Sequence, residues 1–370
     1  MIFHSTYKKP ILIVGSGLRA AGAMSELNAF VDKTNIPVLT TMNSVDVVNV
    51  RNRVGFIGVY GNRVANMVLA ETDLIIAIGA RLGLRQIGNK IEYFAPKAHL
   101  IRVDIDQNEL SRTIKRDEEK CLIDAKDYLK QLLTEDIADY SEWKKQCIEA
   151  RDMLEPYDKE EGNYCIEAIS NLLPESPIVA LDVGQNQCWS AQTLRLRGKA
   201  GRILVGGGYG SMGCGLPYAI GSSYATDNGI VYCITGDGGL QMNIQELETV
   251  HRDNLPIKIL VINNRSLGKI KEIQDGSYNG RRLITDNGSG YSTPDFEKIS
   301  VAYGIKAATI ESYERLIDYA SWFTDNEPCL INIILSDSTL LLPKMNWNQK
   351  DMLPELDPVL IGKVKDILSR

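Results

Sequence analysis

Short apolar runs that end in glycine or a small polar residue recur along this chain, and stretches with helical spacing lie between them. In the first half the runs are PILIVG (10–15), IPVLTT (36–41), DLIIAIG (73–79) and HLIRVDID (99–106), with helix-like LRAAGAMSELNAFVDK (18–33) after the first. The pattern starts again with PIVALDVG (177–184), GIVYCIT (229–235), IKILVINN (257–264) and CLINIIL (329–335). There the helical stretches are NIQELETVHRDN (243–254) and YERLIDYASWFTD (313–325). Uninterrupted apolar strands suit a sheet covered on both faces, and strand–helix alternation sets neighbouring strands parallel. The expected fold is α/β, two doubly wound parallel-sheet domains in tandem, with no sequence repeat between them. The charged stretch 107–163, with KRDEEK and EPYDKEEGN, reads as peripheral helices and a linker. The boundaries expected are a domain over 1–135, a charged helical linker over 136–162, a second domain over 163–350 and a tail helix over 351–370.

A chain of 370 residues, 44% of them apolar, suits two cored domains rather than disorder. Its net charge of −6 and lack of a basic cluster argue against a nucleic-acid partner. Seven cysteines form an odd set without a CxxC pair and read as reduced thiols of a cytoplasmic protein. Three scattered histidines (4, 99 and 251) disfavour a histidine-rich metal site. The opening MIFHSTYKK lacks the apolar core of a signal peptide, and no run reaches membrane-spanning length.

Two glycine turns compete for a ligand. GSGLRA (15–20) follows a strand and opens a helix, as a dinucleotide turn does, but the next strand ends VLTTMNS without the acid that a ribose needs. It reads as a tight βα turn with close helix packing, with a different nucleotide-like ligand left open. GDGG (236–239) is richer: Asp237 ends one strand, a helix follows, and the next strand ends in INN (262–264). A right-handed crossover returns that strand parallel to the first, so Asp237 and Asn264 emerge at one carboxyl edge. One carboxylate and one amide oxygen cannot saturate Mg²⁺, which shares phosphate oxygens readily. Glycine amides and a helix start suit those phosphates. The expectation is a diphosphate clamped by Mg²⁺.

GDG, 24 residues and then NN (236–264) resembles the thiamine-diphosphate fingerprint of the pyruvate-decarboxylase and acetolactate-synthase superfamily. The resemblance implies that Asp237, Asn264 and the main-chain oxygen of Ser266 hold Mg²⁺, with Gly236, Gly238, Gly239, Leu267 and Gly268 beside the cofactor. VGQNQCW (183–189) is similar to the family's diphosphate loop, which implies cofactor contacts for Gly184, Gln185 and Asn186; a histidine is common at Asn186. GYGSMGCGLPYAIG (208–221) resembles the loop beneath the thiazolium, with Gly210, Ser211 and Met212, the last as the apolar prop that bends the cofactor. GDGGLQMNIQELET is most similar to the acetolactate-synthase branch, where GFIGVYGNRVAN (55–66) and GARLGLRQIGN (79–89) have counterparts that touch FAD. Residues 1–135 then resemble the family's central domain, a structural FAD is a further expectation, and Arg85 falls where the family has an arginine near flavin and keto acid.

What the resemblance implies is a thiamine-diphosphate- and Mg²⁺-dependent carboligase or lyase acting on a 2-keto acid such as pyruvate and a carbonyl acceptor. The alternatives are a 2-keto acid decarboxylase, a hydroxyacyl-CoA lyase, or a cofactor-binding subunit without turnover. The resemblance covers about residues 10–345. The family's pyrimidine-binding domain, with its activating glutamate, has no counterpart there. A fragment of a longer product, one subunit of a split enzyme and a decayed copy are the competing explanations. A homodimer, a tetramer or a partner carrying the missing domain is expected. Lys269 and Ile273 stand where acetolactate synthases place a methionine and a tryptophan. That departure argues against true branched-chain acetohydroxyacid synthesis and suggests a more polar acceptor, such as a keto-sugar, facing Lys269.

Overall fold

The computed structural model describes residues 7–48, 51–198, 200–345 and 352–370, so His4 lies outside the described residues. The chain divides into two compact units, one of residues 1–159 with 342–370 and one of residues 160–341.

The first unit is built on strands β1 (Pro10–Val14), β2 (Val38–Thr40), β3 (Arg53–Phe56), β4 (Leu74–Ile78), β5 (His99–Asp104) and β6 (Glu119–Leu122), all parallel in the order β3-β2-β1-β4-β5-β6. Alternate residues of β1 serve two cores. Ile11 and Ile13 face the helices Arg63–Glu71 and Ser141–Leu154, whereas Leu12 and Val14 face Met24–Thr34 and Ala125–Thr134. Residues 136–159 belong to this unit although their composition is so charged. The Ser141–Leu154 helix carries Trp143, Cys147, Ala150 and Leu154 on one face, buried in the core, and the Trp143 indole donates to the Pro10 carbonyl at 3.1 Å. The final helix, Pro358–Ser369, returns to the same core with Val364, Ile367 and Leu368.

The second unit repeats the architecture with β7 (Ile178–Leu181), β8 (Arg202–Val205), β9 (Val231–Gly236), β10 (Ile257–Asn263), β11 (Lys306–Ile310) and β12 (Cys329–Ile334), again all parallel, in the order β11-β12-β10-β9-β7-β8. The helices Gly215–Ala225 and Leu247–Arg252 cover one face through Leu216, Ala219, Leu247 and Val250. The ammonium of Lys258, buried in β10, is satisfied by Asp325 and the Glu327 carbonyl at 2.6 Å each.

Each sheet has a switch point, where successive connections leave in opposite directions and a crevice opens at the strand ends. In the first unit it lies between β1 and β4, and the GSG turn packs into it. The Gly15 amide donates to the Ile78 carbonyl at 3.0 Å and the Gly17 amide to the Gly79 carbonyl at 3.1 Å. A Cβ on Gly15 would stand 2.0 Å from the Gly79 oxygen. Gly15→Ala is therefore expected to destabilise this unit by about 3 kcal/mol, read as a lower urea midpoint at unchanged slope. An unchanged midpoint would mean the turn has room to spare.

Candidate functional site

At the second unit's switch point, between β7 and β9, three loops meet on one buried carboxylate. Asp182 follows β7 and is 1% exposed. Its Oδ1 accepts from the Val183 amide at 2.6 Å and the Gly213 amide at 3.0 Å. Its Oδ2 accepts from the Gly215 amide and the Thr235 hydroxyl, both at 3.3 Å. Burial pushes its carboxyl above the ordinary range while the amides and the hydroxyl pull it back. A Cβ on Gly239 would stand 2.8 Å from Oδ2, so the GDGG turn has to be bare to let this carboxylate in. Asp182 was not singled out from the sequence. Its signal was an acid ending an apolar strand, the same signal that marked Asp237.

Asp237 opens the Asp237–Met242 helix at the end of β9 and is 2% exposed. Its Oδ2 accepts from the Ser266 amide and the Tyr291 hydroxyl, each at 3.1 Å. Burial pushes the carboxyl up to about 6, against the hydrogen bonds from Tyr291 and from the amides of Gly238, Asp237 and Ser266. That penalty on the charged form is what a bound cation would relieve. Tyr291, too, escaped the sequence reading, because it reaches the site from a loop that lacks periodicity.

The two asparagines after β10 divide their work. Asn263 donates to Asn332 Oδ1 and accepts the Arg265 amide, both at 3.0 Å, which turns the chain where Arg265 takes a left-handed φ of 52°. Asn264 donates its Nδ2 to Gln185 Oε1 at 2.8 Å, which turns its own Oδ1 the other way. Gln185 in turn donates to Glu272 at 2.9 Å. The Ser266 hydroxyl is buried and has no hydrogen-bond partner among the described residues. The Ser266–Asp237 bond joins two of the three expected cation residues, and Asn264, two positions before Ser266, is held by Gln185. Among the described residues no group of three or more His, Cys, Asp or Glu converges as a metal site. A cation here would depend on one carboxylate, amide and main-chain oxygens, and oxygens brought by a ligand.

The other expected contacts surround this cluster. Gly184, at φ 146°, caps the Gln185–Thr193 helix. Asn186 braces the crevice from within, its Nδ2 donating to the carbonyls of Asp182 at 3.0 Å and Ile234 at 3.4 Å. Gly210 and Ser211 precede Met212, whose Cε comes within 3.4 Å of the point where a Cβ would sit on Gly238, with Leu267 Cδ2 at 2.5 Å. Gly268 starts the Gly268–Ser277 helix, on which Lys269 and Ile273 lie one turn apart; Ile273 is half exposed, whereas the Lys269 ammonium nitrogen is shielded from solvent. Arg85 belongs to the first unit, on the Leu84–Ile87 helix; its side chain is exposed and its carbonyl accepts the Val59 amide at 2.8 Å.

Two family models match this chain, one described as "Thiamine pyrophosphate enzyme, central domain" over residues 5–132 and one as "Thiamine pyrophosphate enzyme, C-terminal TPP binding domain" over residues 182–333. The chain belongs to the thiamine pyrophosphate enzymes. The second match begins at Asp182 and takes in the whole cluster described above. The acetolactate synthase large subunit of Lactococcus lactis subsp. lactis is 33% identical over 350 residues, 92% of this chain and 60% of the relative. The acetolactate synthase isozyme 2 large subunit of Escherichia coli is 32% identical over 343 residues, 89% of this chain and 60% of the relative. The probable acetolactate synthase large subunit of Methanococcus aeolicus is 33% identical over 369 residues, 90% and 59%. The chain therefore spans about 60% of the length of these relatives.

The residues fit a thiamine pyrophosphate enzyme's cofactor end in two respects, the buried Ser266 hydroxyl awaiting a partner and the desolvated Asp237 carboxylate. The GSG turn offers less to a flavin diphosphate, because the amides of Gly15, Gly17, Leu18 and Arg19 are all taken up within the protein. For Asp182, the expected outcome of Asp182→Asn is a loss of about 1–3 kcal/mol in stability, since the new NH₂ must face a donor. Urea denaturation would read it, and an unchanged midpoint would show that the three loops do not depend on this carboxylate.

Proposed function

We propose that this chain is the cofactor-carrying part of a thiamine-diphosphate- and Mg²⁺-dependent carboligase acting on a 2-keto acid such as pyruvate. The observation that carries the reading is one desolvated carboxylate, Asp237, bonded to the Ser266 amide at a switch point floored with glycines. Asp237 and Asn264 would hold Mg²⁺ through their side chains and Ser266 through its main-chain oxygen. Gly236, Gly238 and Gly239, with Gly184, Gln185 and Asn186, would line the diphosphate, and Gly210, Ser211, Leu267 and Gly268 would close around it. Thiamine diphosphate, when bound, supplies the carbanion chemistry for losing CO₂ from the keto acid and joining the remainder to a second carbonyl. The chain's residues bind and orient: Met212 offers an apolar surface beside Gly238, and the Asp182 carboxylate keeps the three loops together.

The acceptor reading rests on the Gly268–Ser277 helix. Lys269 stands where acetolactate synthases place a methionine, which favours a more polar acceptor, with Ile273 one turn further along. In the complete enzyme, Lys269→Met should move relative kcat/KM toward apolar keto acids by about tenfold; the same acceptor preference in both would remove Lys269 from the substrate reading. Arg85 and a structural FAD belong to this proposal through the first unit's segments 55–66 and 79–89, and a flavin absorption spectrum of the purified protein decides that part. We also propose that turnover needs a pyrimidine-binding domain, from the same product or from a partner, within a dimer or tetramer.

Calorimetry with thiamine diphosphate and Mg²⁺, run with and without a pyrimidine-binding domain, tests the central reading. Saturable binding that requires Mg²⁺ and disappears in Asp237→Ala is the expected result. Unchanged affinity in Asp237→Ala would refute the clamp.

A further inference from the structure

The loop after the Gly268–Ser277 helix turns back and takes hold of the chain around Ser266 and Asp237 at two points. Its base is fixed to that helix. Gln274 Oε1 accepts the Leu283 amide at 3.1 Å and the Thr285 hydroxyl at 2.9 Å. The Arg282 guanidinium forks onto Asp275 at 2.8 and 3.0 Å and reaches Asp286 at 2.7 Å. Between these anchors Ile284, a β-branched residue, sits at a φ of 53°, held by its amide bond to the Ser289 carbonyl at 2.9 Å. A β-branched side chain rarely takes that conformation, so the surrounding bonds are what impose it.

From this base the two grips reach the site. The Thr285 carbonyl accepts the Leu267 amide at 2.9 Å, and Ser266 pairs with Asp286 in an antiparallel bridge. The Leu267 N–H and the Ser266 C=O belong to one planar trans peptide, so they point in opposite directions. Fixing the N–H on Thr285 therefore aims the Ser266 carbonyl away from the strap. The second grip is the Tyr291 hydroxyl, which donates to Asp237 Oδ2 alongside the Ser266 amide, both at 3.1 Å. Two donors on one oxygen fix the carboxylate's rotation about its Cβ–Cγ bond.

We infer that the 281–291 strap is a positioning device for the cation site: it orients the Asp237 carboxylate through Tyr291 and the Ser266 carbonyl through Thr285, with Arg282 as its remote anchor. The inference rests on the Mg²⁺–diphosphate reading above. Tyr291 and Thr285 act as positioning residues, and Arg282 acts only through them. Its guanidinium bonds to Asp275 and Asp286, acids of the helix and the strap. Loosening the anchor should reach the site without altering a single residue of it.

Tyr291→Phe and Arg282→Gln test this with two measurements. In calorimetric titrations of thiamine diphosphate at varied Mg²⁺, the half-saturating Mg²⁺ concentration should rise about tenfold in each variant, with full occupancy regained at high Mg²⁺. In the cofactor-free protein, amide hydrogen exchange over residues 264–268 should quicken in Arg282→Gln at an unchanged unfolding midpoint. Tyr291→Phe keeps the ring and its packing, so a fold defect would not mimic the result. Unchanged Mg²⁺ dependence together with unchanged exchange overturns the strap. A wild-type chain that binds no thiamine diphosphate at any Mg²⁺ concentration, with a pyrimidine-binding domain supplied, overturns the cofactor reading and the assignment of the oriented groups as ligands. The exchange data still decide whether Arg282 holds the loop.

Discussion

The second unit depends on a single buried carboxylate placed where three loops leave the sheet. Asp182 has four donors within hydrogen-bond distance, and they come from its own loop, from the glycine loop ahead of the Gly215–Ala225 helix, and from β9. A carboxylate withdrawn from water is tolerable only when its lone pairs are met in this way. The same demand explains the local sequence. Gly213 and Gly215 present amides rather than side chains, and Gly239 leaves a gap where the carboxylate fits. Loops held by one hub cannot drift independently, so the crevice they bound keeps its form.

The two units show how one architecture can be put to different uses. In each, strands of a parallel sheet diverge at a switch point and a glycine turn follows the strand there. In the first unit that turn is packed backbone against backbone, Gly15 and Gly17 on Gly79, with its amides bonded to neighbouring carbonyls. In the second unit the corresponding turns converge around two desolvated acids, Asp182 and Asp237. A glycine motif alone does not distinguish these outcomes, because glycine serves close packing and ligand approach equally well. What distinguishes them is whether buried charge and unmet polar atoms accompany the glycines.

That distinction sets how far the sequence could be read. The strands were legible because runs such as IKILVINN are too short and too β-branched for helices, and GDG with NN was legible because a right-handed crossover brings both to one edge. The place of the Ser141–Leu154 helix was harder to see. Its buried face, Trp143, Cys147, Ala150 and Leu154, has regular spacing, yet the charges between those residues dominate the composition and suggested a linker. The helix Pro358–Ser369 returns to the first unit through tertiary packing alone, which no local pattern announces. Tyr291 illustrates the remaining gap. Its partner Asp237 lies 54 positions away, and an irregular loop carries no period from which a side chain's destination could be inferred.

The NN pair divides two structural roles between adjacent residues. An amide bound to a cation must present its oxygen, and an amide can rotate through half a turn at little penalty unless its nitrogen is occupied. Gln185 occupies the nitrogen of Asn264, and Glu272 in turn fixes Gln185. Asn263, facing the sheet, bonds to Asn332 and to the Arg265 amide, and so holds the left-handed residue that swings Ser266 back toward Asp237. The first asparagine makes the turn and the second occupies the position the turn creates. The oxygen of Asn263 is spent on the Arg265 amide, whereas the bond from the Asn264 nitrogen to Gln185 leaves the Asn264 oxygen for a ligand on the proposed reading.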